Sequence, residues 1–191
     1  MAGENAERAE KLNKLYLAII LRYKDIIEER ERLSVSELPN LITPKDERVV
    51  EKAEEIKKNF PNYVYERDFY YASKMAFEFV KDGIEEIMHP VQFWMKPSET
   101  INFQIGDIMD KNILLCSLLI ELGNPSAKVL VGVDDMLSAF TYYEFNGKLY
   151  LLDIKNSIKE FDSKDDIYKI VAKGDNTTAY EFNNQMYRDI S

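Results

Sequence analysis

The sequence has very few of the residues that most often carry catalysis or hold metals. Among 191 residues there is one cysteine, Cys116, and one histidine, His89. A single cysteine excludes an intramolecular disulfide, which is typical of the reducing cytoplasm, where we expect this protein. Structural zinc usually takes four nitrogen or sulfur ligands, so a zinc centre within one chain is not expected. We predict no cofactor and no metal.

Long apolar runs and flexible linkers are equally scarce. No apolar run approaches the roughly 20 residues that a membrane-spanning helix needs, so we predict no membrane association. The sequence contains only 7 glycines and 6 prolines, which argues against long disordered stretches. The length suits one domain with a sizeable core and an appendage.

The charge is strongly negative but unevenly distributed. The net charge is −9, and residues 61–191 hold 13 basic and 21 acidic side chains, which accounts for −8 of it. Because an acidic body repels phosphate backbones, no nucleic-acid partner is expected. The abundance of Glu, Lys and Ile with few Gln is typical of thermophilic proteins.

Helices are predicted for the first half of the chain. Residues 4–32 form one long amphipathic helix in this prediction, because apolar side chains recur at spacings of four and three: Leu12, Tyr16, Ile19, Tyr23 and Ile26. This helix either docks on its own domain or pairs with a partner or a second copy. Further helices are predicted over 44–59, with Thr43 as N-cap, and over 66–87. We place a domain boundary at residue 60, between an N-terminal helical region (1–60) and a second domain (61–191).

Strands are predicted after a helix that ends near Gly123. Three apolar segments read as strands, at 127–133, 139–145 and 148–153. Asn146-Gly147 between the last two is a strong hairpin signal. Residues 154–173 are predicted as a loop with a short helix or strand, and 174–191 as a polar tail that wraps the body or frays. The predicted fold class is α+β.

Several conspicuous side chains have an ordinary structural explanation. Cys116 lies in the middle of an apolar helix, where we expect a buried, unreactive thiol. His89 lies in a loop and is expected to be solvated. Trp94 either covers the core or lines a groove. The spacing of Asp134, Asp135 and Asp153 does not resemble a dedicated calcium loop, so these residues are expected in solvated turns.

The most informative stretch is 97–123, PSETINFQIGDIMDKNILLCSLLIELG. A turn-rich lead-in reaches Gly106-Asp107, and an apolar helix follows immediately. The start of a helix is a place where a nucleophile can be activated or an anion held. The residue in that position is Ile108, which can do neither.

Residues 97–101 and 106–110, followed by a strand and a hairpin, resemble the transglutaminase-like branch of the papain-type cysteine enzymes, especially its compact prokaryotic and archaeal members. In that family a segment like P-x-E-T-L…G-D-C-x-D precedes the nucleophile helix, a strand begins H-A-W, and a later strand ends in L-D. Here Ser138-Ala139-Phe140 stands at the H-A-W and Leu152-Asp153 at the L-D. The resemblance spans about residues 66–160. It implies a papain-like core in which a nucleophile-type helix packs on an antiparallel sheet.

The departures from the family pattern imply a loss of catalysis. Ile108 replaces the nucleophilic cysteine, Ser138 replaces the histidine base, and only Asp153 remains. An isoleucine cannot attack a carbonyl, and a serine hydroxyl does not titrate near neutrality. The resemblance therefore implies an inactive protein that binds a protein or peptide through the former active-site groove. We expect this groove to be lined by Trp94, Asp107, Ile108, Ser138, Phe140 and Asp153.

Two alternatives remain open on the sequence. The first is a cysteine-dependent amide hydrolase or transferase with a rearranged centre, in which Cys116 is the nucleophile and His89 or Asp153 assists. The second is a structural subunit that forms a homo-oligomer through the stripe on the N-terminal helix.

Overall fold

The computed structural model describes residues 2–31, 33–34, 37–91, 93–133, 137–171 and 178–190. In chain order the helices of these ranges are α1 (Ala2–Arg22), α2 (Lys24–Glu31), α3 (Glu47–Lys57), α4 (Tyr65–Gly83), α5 (Pro97–Phe103), α6 (Ile108–Glu121) and α7 (Lys164–Val171). The strands are β1 (Glu85–Glu86), β2 (Ile105–Gly106), β3 (Lys128–Val133), β4 (Leu137–Phe145), β5 (Lys148–Leu152), β6 (Ile158–Phe161), β7 (Thr178–Phe182) and β8 (Tyr187–Asp189). This mixture of helix and sheet is the expected α+β class.

The chain divides into two compact units. The first consists of Met1–Arg32 and Met88–Trp94, and the second of Leu33–Ile87 and Met95–Ser191. The division differs from the boundary predicted at residue 60, because α3 packs on α5 and α6 within the second unit. The apolar side of α3 supplies Val49, Ala53 and Ile56 to that core.

In the first unit α1 and α2 are almost continuous. The backbone N–H of Tyr23 donates to the carbonyls of Ile19 and Ile20, both at 3.2 Å, and the carbonyl of Tyr23 accepts from Ile27 at 3.0 Å. Only Tyr23 interrupts the helical assignment, so the predicted helix over 4–32 is confirmed for its described residues, 4–31, apart from this one-residue break. No helix within the described ranges is long and apolar enough to cross a membrane.

The second unit contains a six-stranded sheet in the order β6-β5-β4-β3-β7-β8, and every neighbouring pair is antiparallel. The predicted hairpin is confirmed. Asn146 and Gly147 both have positive φ, 51° and 72°, which is the backbone geometry of a type I′ turn between β4 and β5.

Helices cover both faces of the sheet. On one face α7 packs against Leu130, Tyr142 and Leu151. On the other, α6 packs on β4, and Thr141 bonds to Asn112. Alternate residues of β4 therefore enter two different cores. The central strands are buried on both sides, which is why they read as nearly continuous apolar runs.

Three segments differ from the sequence prediction. The expected polar tail instead forms β7 and β8, and β7 pairs directly with β3 inside the sheet. The lead-in to α6 contains helix α5, whose Glu99 side chain accepts a hydrogen bond of 2.8 Å from the N–H of Lys96. Helix α3 is capped by Asp46, which accepts from the N–H of Arg48, and not by Thr43.

The short strands β1 and β2 position the start of α6. They pair in parallel, Glu85 with Ile105 and Glu86 with Gly106, and so hold the end of α4 beside the start of α6. This two-stranded pairing has no sequence signal of its own, because each strand has only two residues.

Candidate functional site

Two aspartates, Asp107 and Asp110, cap the start of α6, and each accepts a hydrogen bond from the backbone N–H of the other. One oxygen of Asp107 accepts from the N–H groups of Met109 at 2.7 Å and Asp110 at 2.9 Å. The Asp110 carboxylate in turn accepts from the N–H of Asp107 at 2.9 Å. This reciprocal capping box is what the Gly-Asp-x-x-Asp pattern encodes. Ile108, the first residue of the helix, is half-buried.

Asp110 also ties the preceding segment to the helix. Its side chain is fully buried, and its other oxygen accepts from the N–H of Met95 at 2.7 Å. Because a buried carboxylate is tolerated only with such partners, Asp110 acts as an anchor for the chain that leads into α5. The two aspartates thus satisfy three backbone N–H groups at the start of α6.

Asn112, one turn into α6, fixes the helix to strand β4. Its amide nitrogen donates to the carbonyls of Ile108 at 2.8 Å and Ala139 at 3.2 Å. Its amide oxygen accepts from the hydroxyl of Thr141 at 2.9 Å. At the other end of the helix, Asn124 donates to the carbonyl of Glu144. The helix therefore begins where β4 begins, at the end of the sheet where β3 finishes.

Ser138 does not face α6. It pairs with Gly132, and its hydroxyl donates to the Gly132 carbonyl at 3.2 Å. A Cβ atom built on Gly132 would lie 2.9 Å from Cβ of Val171 in α7 and 3.1 Å from the Ser138 hydroxyl, so both residues point to the α7 face. The expectation that Ser138 replaces a base beside Ile108 is corrected by this register. Phe140, two residues on, packs on the α7 side as well.

In the first half of β4 the residues that share the α6 face are Leu137, Ala139 and Thr141. Ala139 is buried, whereas Leu137 and its strand partner Val133 are 39% and 37% exposed. These two apolar side chains lie on the same face of the sheet as α6, at the end of the sheet where α6 starts. The sequence analysis missed both, since nothing in the sequence assigned a face to either strand.

The other predicted groove residues have local roles. Asp153 is buried, and its carboxylate accepts from the N–H of Lys155 at 3.1 Å and the side chain of Asn156 at 2.8 Å, which closes the turn after β5. Trp94 is half-buried and belongs to the first unit, so its place in a groove stays a prediction. Asp134 and Asp135 lie outside the described residues.

The residues of the cysteine-based alternative are not arranged for catalysis. Cys116 is fully buried in α6, and burial raises the pKa of its thiol far above the usual value. A thiol that remains protonated and inaccessible is a poor nucleophile. The ring of His89 packs against that of Phe93 within the first unit, with centroids 4.7 Å apart, and the residue is half-buried rather than freely solvated.

Lys111 is a buried charged residue that the sequence analysis did not single out. Only 3% of it is exposed, and its ammonium donates to the carbonyls of Ile84 at 2.8 Å and Lys81 at 3.2 Å, at the end of α4. Burial lowers its pKa. It lines an open concavity of about 740 Å³ together with Phe103 and Ile154. A cation at a helix C-terminus is favourable, which explains its place in an apolar helix.

Comparison with solved structures finds a similar fold in LapG of Legionella pneumophila. EGTA-treated LapG matches with a TM-score of 0.53 at 13% sequence identity, over 83% of this chain and 87% of LapG. Two further LapG structures, one of them calcium-bound, each match 74% of this chain and 87% of their own, at 15% and 16% identity with TM-scores of 0.47 and 0.46. No family model and no curated protein matches the sequence. LapG has a transglutaminase-like cysteine protease fold, and at these identities the likeness is one of fold alone.

Proposed function

We propose that this protein is a non-catalytic binding module built on the transglutaminase-like fold, and that it holds an extended protein or peptide segment where α6 begins. The proposal depends on one observation: the residue at the first position of α6 is an isoleucine. Ile108 stands there, half-buried, and Val133 and Leu137 on the α6 face of the sheet are apolar and partly exposed. The residues of β3 and β4 on that face include neither cysteine nor histidine.

The chemistry of this surface favours apolar side chains over anions. Ile108, Val133 and Leu137 supply apolar area. More than a third of Val133 and of Leu137 is exposed, and Ile108 is half-buried. The helix start would attract an anion if its N–H groups were available, but Met109 and Asp110 donate to Asp107. Two carboxylates at the same point also repel negative charge. We therefore infer a ligand segment with at least one apolar anchor residue.

The groove is thus assigned differently from the sequence prediction. Ile108 and Asp107 keep their place, whereas Ser138 and Phe140 lie on the opposite face of the sheet. Leu137 and Val133 take their place beside the helix start. Catalysis through Cys116 is not part of the proposal, because its thiol is inaccessible and protonated.

The proposal is tested by selecting a phage-displayed library of random linear peptides on the full chain. Selected peptides are then titrated by fluorescence polarisation against wild type, Ile108→Glu and Leu137→Glu. A glutamate at the first helical position is compatible with the helix dipole, so Ile108→Glu is expected to fold. The matched control is Tyr71→Glu, at an exposed aromatic residue of α4.

We expect at least tenfold weaker peptide binding by Ile108→Glu and Leu137→Glu and unchanged binding by Tyr71→Glu. Equal binding by all four proteins would place the site elsewhere. Wild type is assayed in parallel for hydrolysis and transamidation of peptide amides, and no turnover above background is expected. Turnover by wild type above background would overturn the non-catalytic assignment, whether or not it survives Ile108→Glu.

A further inference from the structure

An apolar stripe runs along the exposed helix of the first unit. Five of its members, at positions 12, 16, 19, 23 and 26, recur at spacings of four and three, which is the 3.5-residue repeat of helices that pair with one another. Flanking residues Leu15, Ile20 and Ile27 widen the stripe on both sides. Large side chains in this stripe are 38 to 55% exposed: Leu12, Leu15, Tyr16, Ile19, Tyr23 and Ile26.

We propose that this stripe, defined by those six residues, is an interface through which two copies of the chain associate. An isolated helix with so much exposed apolar surface is marginal in water, and pairing with an identical helix buries the stripe of both copies at once. The helix break at Tyr23 does not interrupt the stripe, because the backbone hydrogen bonds of Tyr23 continue on either side of it.

The area is sufficient for a specific dimer. Tyrosine side chains offer roughly 150–250 Å² each and the leucine and isoleucine side chains somewhat less, and about half of this area is exposed at the six positions. Two copies together therefore bring on the order of 1,000 Å² of apolar surface to the contact, which reaches the size expected of a biological interface. The estimate covers the stripe alone.

The charge distribution of the helix permits a second copy as the occupant. Residues 1–32 hold 7 acidic and 7 basic side chains, so this segment is neutral, whereas residues 33–191 hold 27 acidic and 18 basic side chains and carry the whole net charge of −9. Two copies repel each other through the acidic part but not through the helix. Ion pairs within the helix, such as Glu10 with Lys14 at 2.6 Å, neutralise its polar side without requiring a partner.

The test compares the full-length wild type with two matched variants by sedimentation equilibrium over a hundredfold range of concentration. Ile19→Glu changes the centre of the stripe, and Leu21→Glu changes a side chain of similar exposure, 45% against 50%, on the opposite side of the helix. Both positions are exposed, so neither change removes a core contact, and circular dichroism checks the fold of each.

We expect a concentration-dependent dimer for wild type and for Leu21→Glu, and at least tenfold weaker association for Ile19→Glu. A nitroxide on Lys14→Cys provides a second readout, because the native Cys116 is buried and stays unlabelled. An intermolecular dipolar distance should be present in this protein and lost when Ile19→Glu is added. A monomeric wild type at every concentration, or equal weakening by both glutamates, would overturn the proposal.

Discussion

The hydroxyl of Thr141 donates to the side-chain oxygen of Asn112 across 2.9 Å, in the buried space between strand β4 and helix α6. Asn112 uses its amide nitrogen at the same time to hold the carbonyls of Ile108 and Ala139. One side chain therefore joins the first turn of the helix to the strand beside it. The position of Ile108 relative to the sheet depends on this junction.

Replacing Asn112 by alanine is expected to lower the free energy of unfolding by about 2–3 kcal/mol, since two carbonyls and one hydroxyl lose a partner in a buried site. Thr141→Val is expected to cost about 1–2 kcal/mol. The double variant should lose less than the sum, with a coupling energy of about 1 kcal/mol. Urea unfolding measures all three, with exposed Asn102→Ala as a neutral control. Strictly additive losses would contradict the junction.

Asp107 and Asp110 are expected to differ sharply when each is changed to asparagine. Asp107 accepts both N–H groups on one oxygen, so the amide oxygen of Asp107→Asn can keep this cap, and the cap itself should contribute little to any loss. Asp110 uses both oxygens, toward Met95 and Asp107, and Asp110→Asn would set an amide N–H against a backbone N–H. The expected loss is about 2 kcal/mol or more, measured by urea unfolding. Equal losses would show that the capping box does not bind the helix start in this way.

The buried carboxylate of Glu181 predicts a specific dependence of stability on pH. Burial alone would raise its pKa, but hydrogen bonds from Tyr142, Lys128 and Tyr168 outweigh burial and hold the pKa below its usual value. The unfolded chain has a glutamate pKa of about 4.3. The stabilisation from this carboxylate is therefore fully present above that pH and is lost as the pH falls through the lower folded value.

The measurement is the difference in unfolding free energy between wild type and Glu181→Gln, followed from pH 7 down to about pH 3. Wild type should be the more stable protein at neutral pH, and its advantage should shrink through the acidic window. A constant difference across the pH range would mean that the pKa of Glu181 is the same in the folded and the unfolded protein, which would contradict the prediction.

The thiol of Cys116 should not react with labelling reagents in the native protein. Because the thiol is fully buried and burial raises its pKa, we expect no reaction with a maleimide or an aromatic disulfide at pH 8 and complete labelling in denaturant. Native labelling with a midpoint below that of a free thiol would instead restore the cysteine-based enzyme as a hypothesis.

Features encoded by neighbouring residues could be predicted from the sequence. The Asn146-Gly147 turn, the helix start at Asp107 and the burial of Cys116 each depend on a few adjacent positions, and each is as expected. The N-cap of α3 was misplaced by three residues, from Asp46 to Thr43, because Thr-Pro carries a similar local signal.

Features that depend on partners distant in sequence could not be predicted. The face of Ser138 was not predictable, because β4 is buried on both sides and has no alternation of polar and apolar residues to mark the core face. Strand β7 was missed because Glu181 makes it look polar. Only the fold shows that this glutamate is buried between Lys128 and two tyrosines.

The place of β7 beside β3 has a consequence for synthesis. Strand β3 is ready when residue 133 has been made, but its second neighbour, residues 178–182, arrives more than forty residues later. During synthesis, the edge of β3 that later pairs with β7 therefore has unpaired backbone N–H and C=O groups. Exposed strand edges of this kind can pair with other chains. A protein terminated before β7 would be expected to accumulate in inclusion bodies, and chaperone demand during translation should peak over this interval.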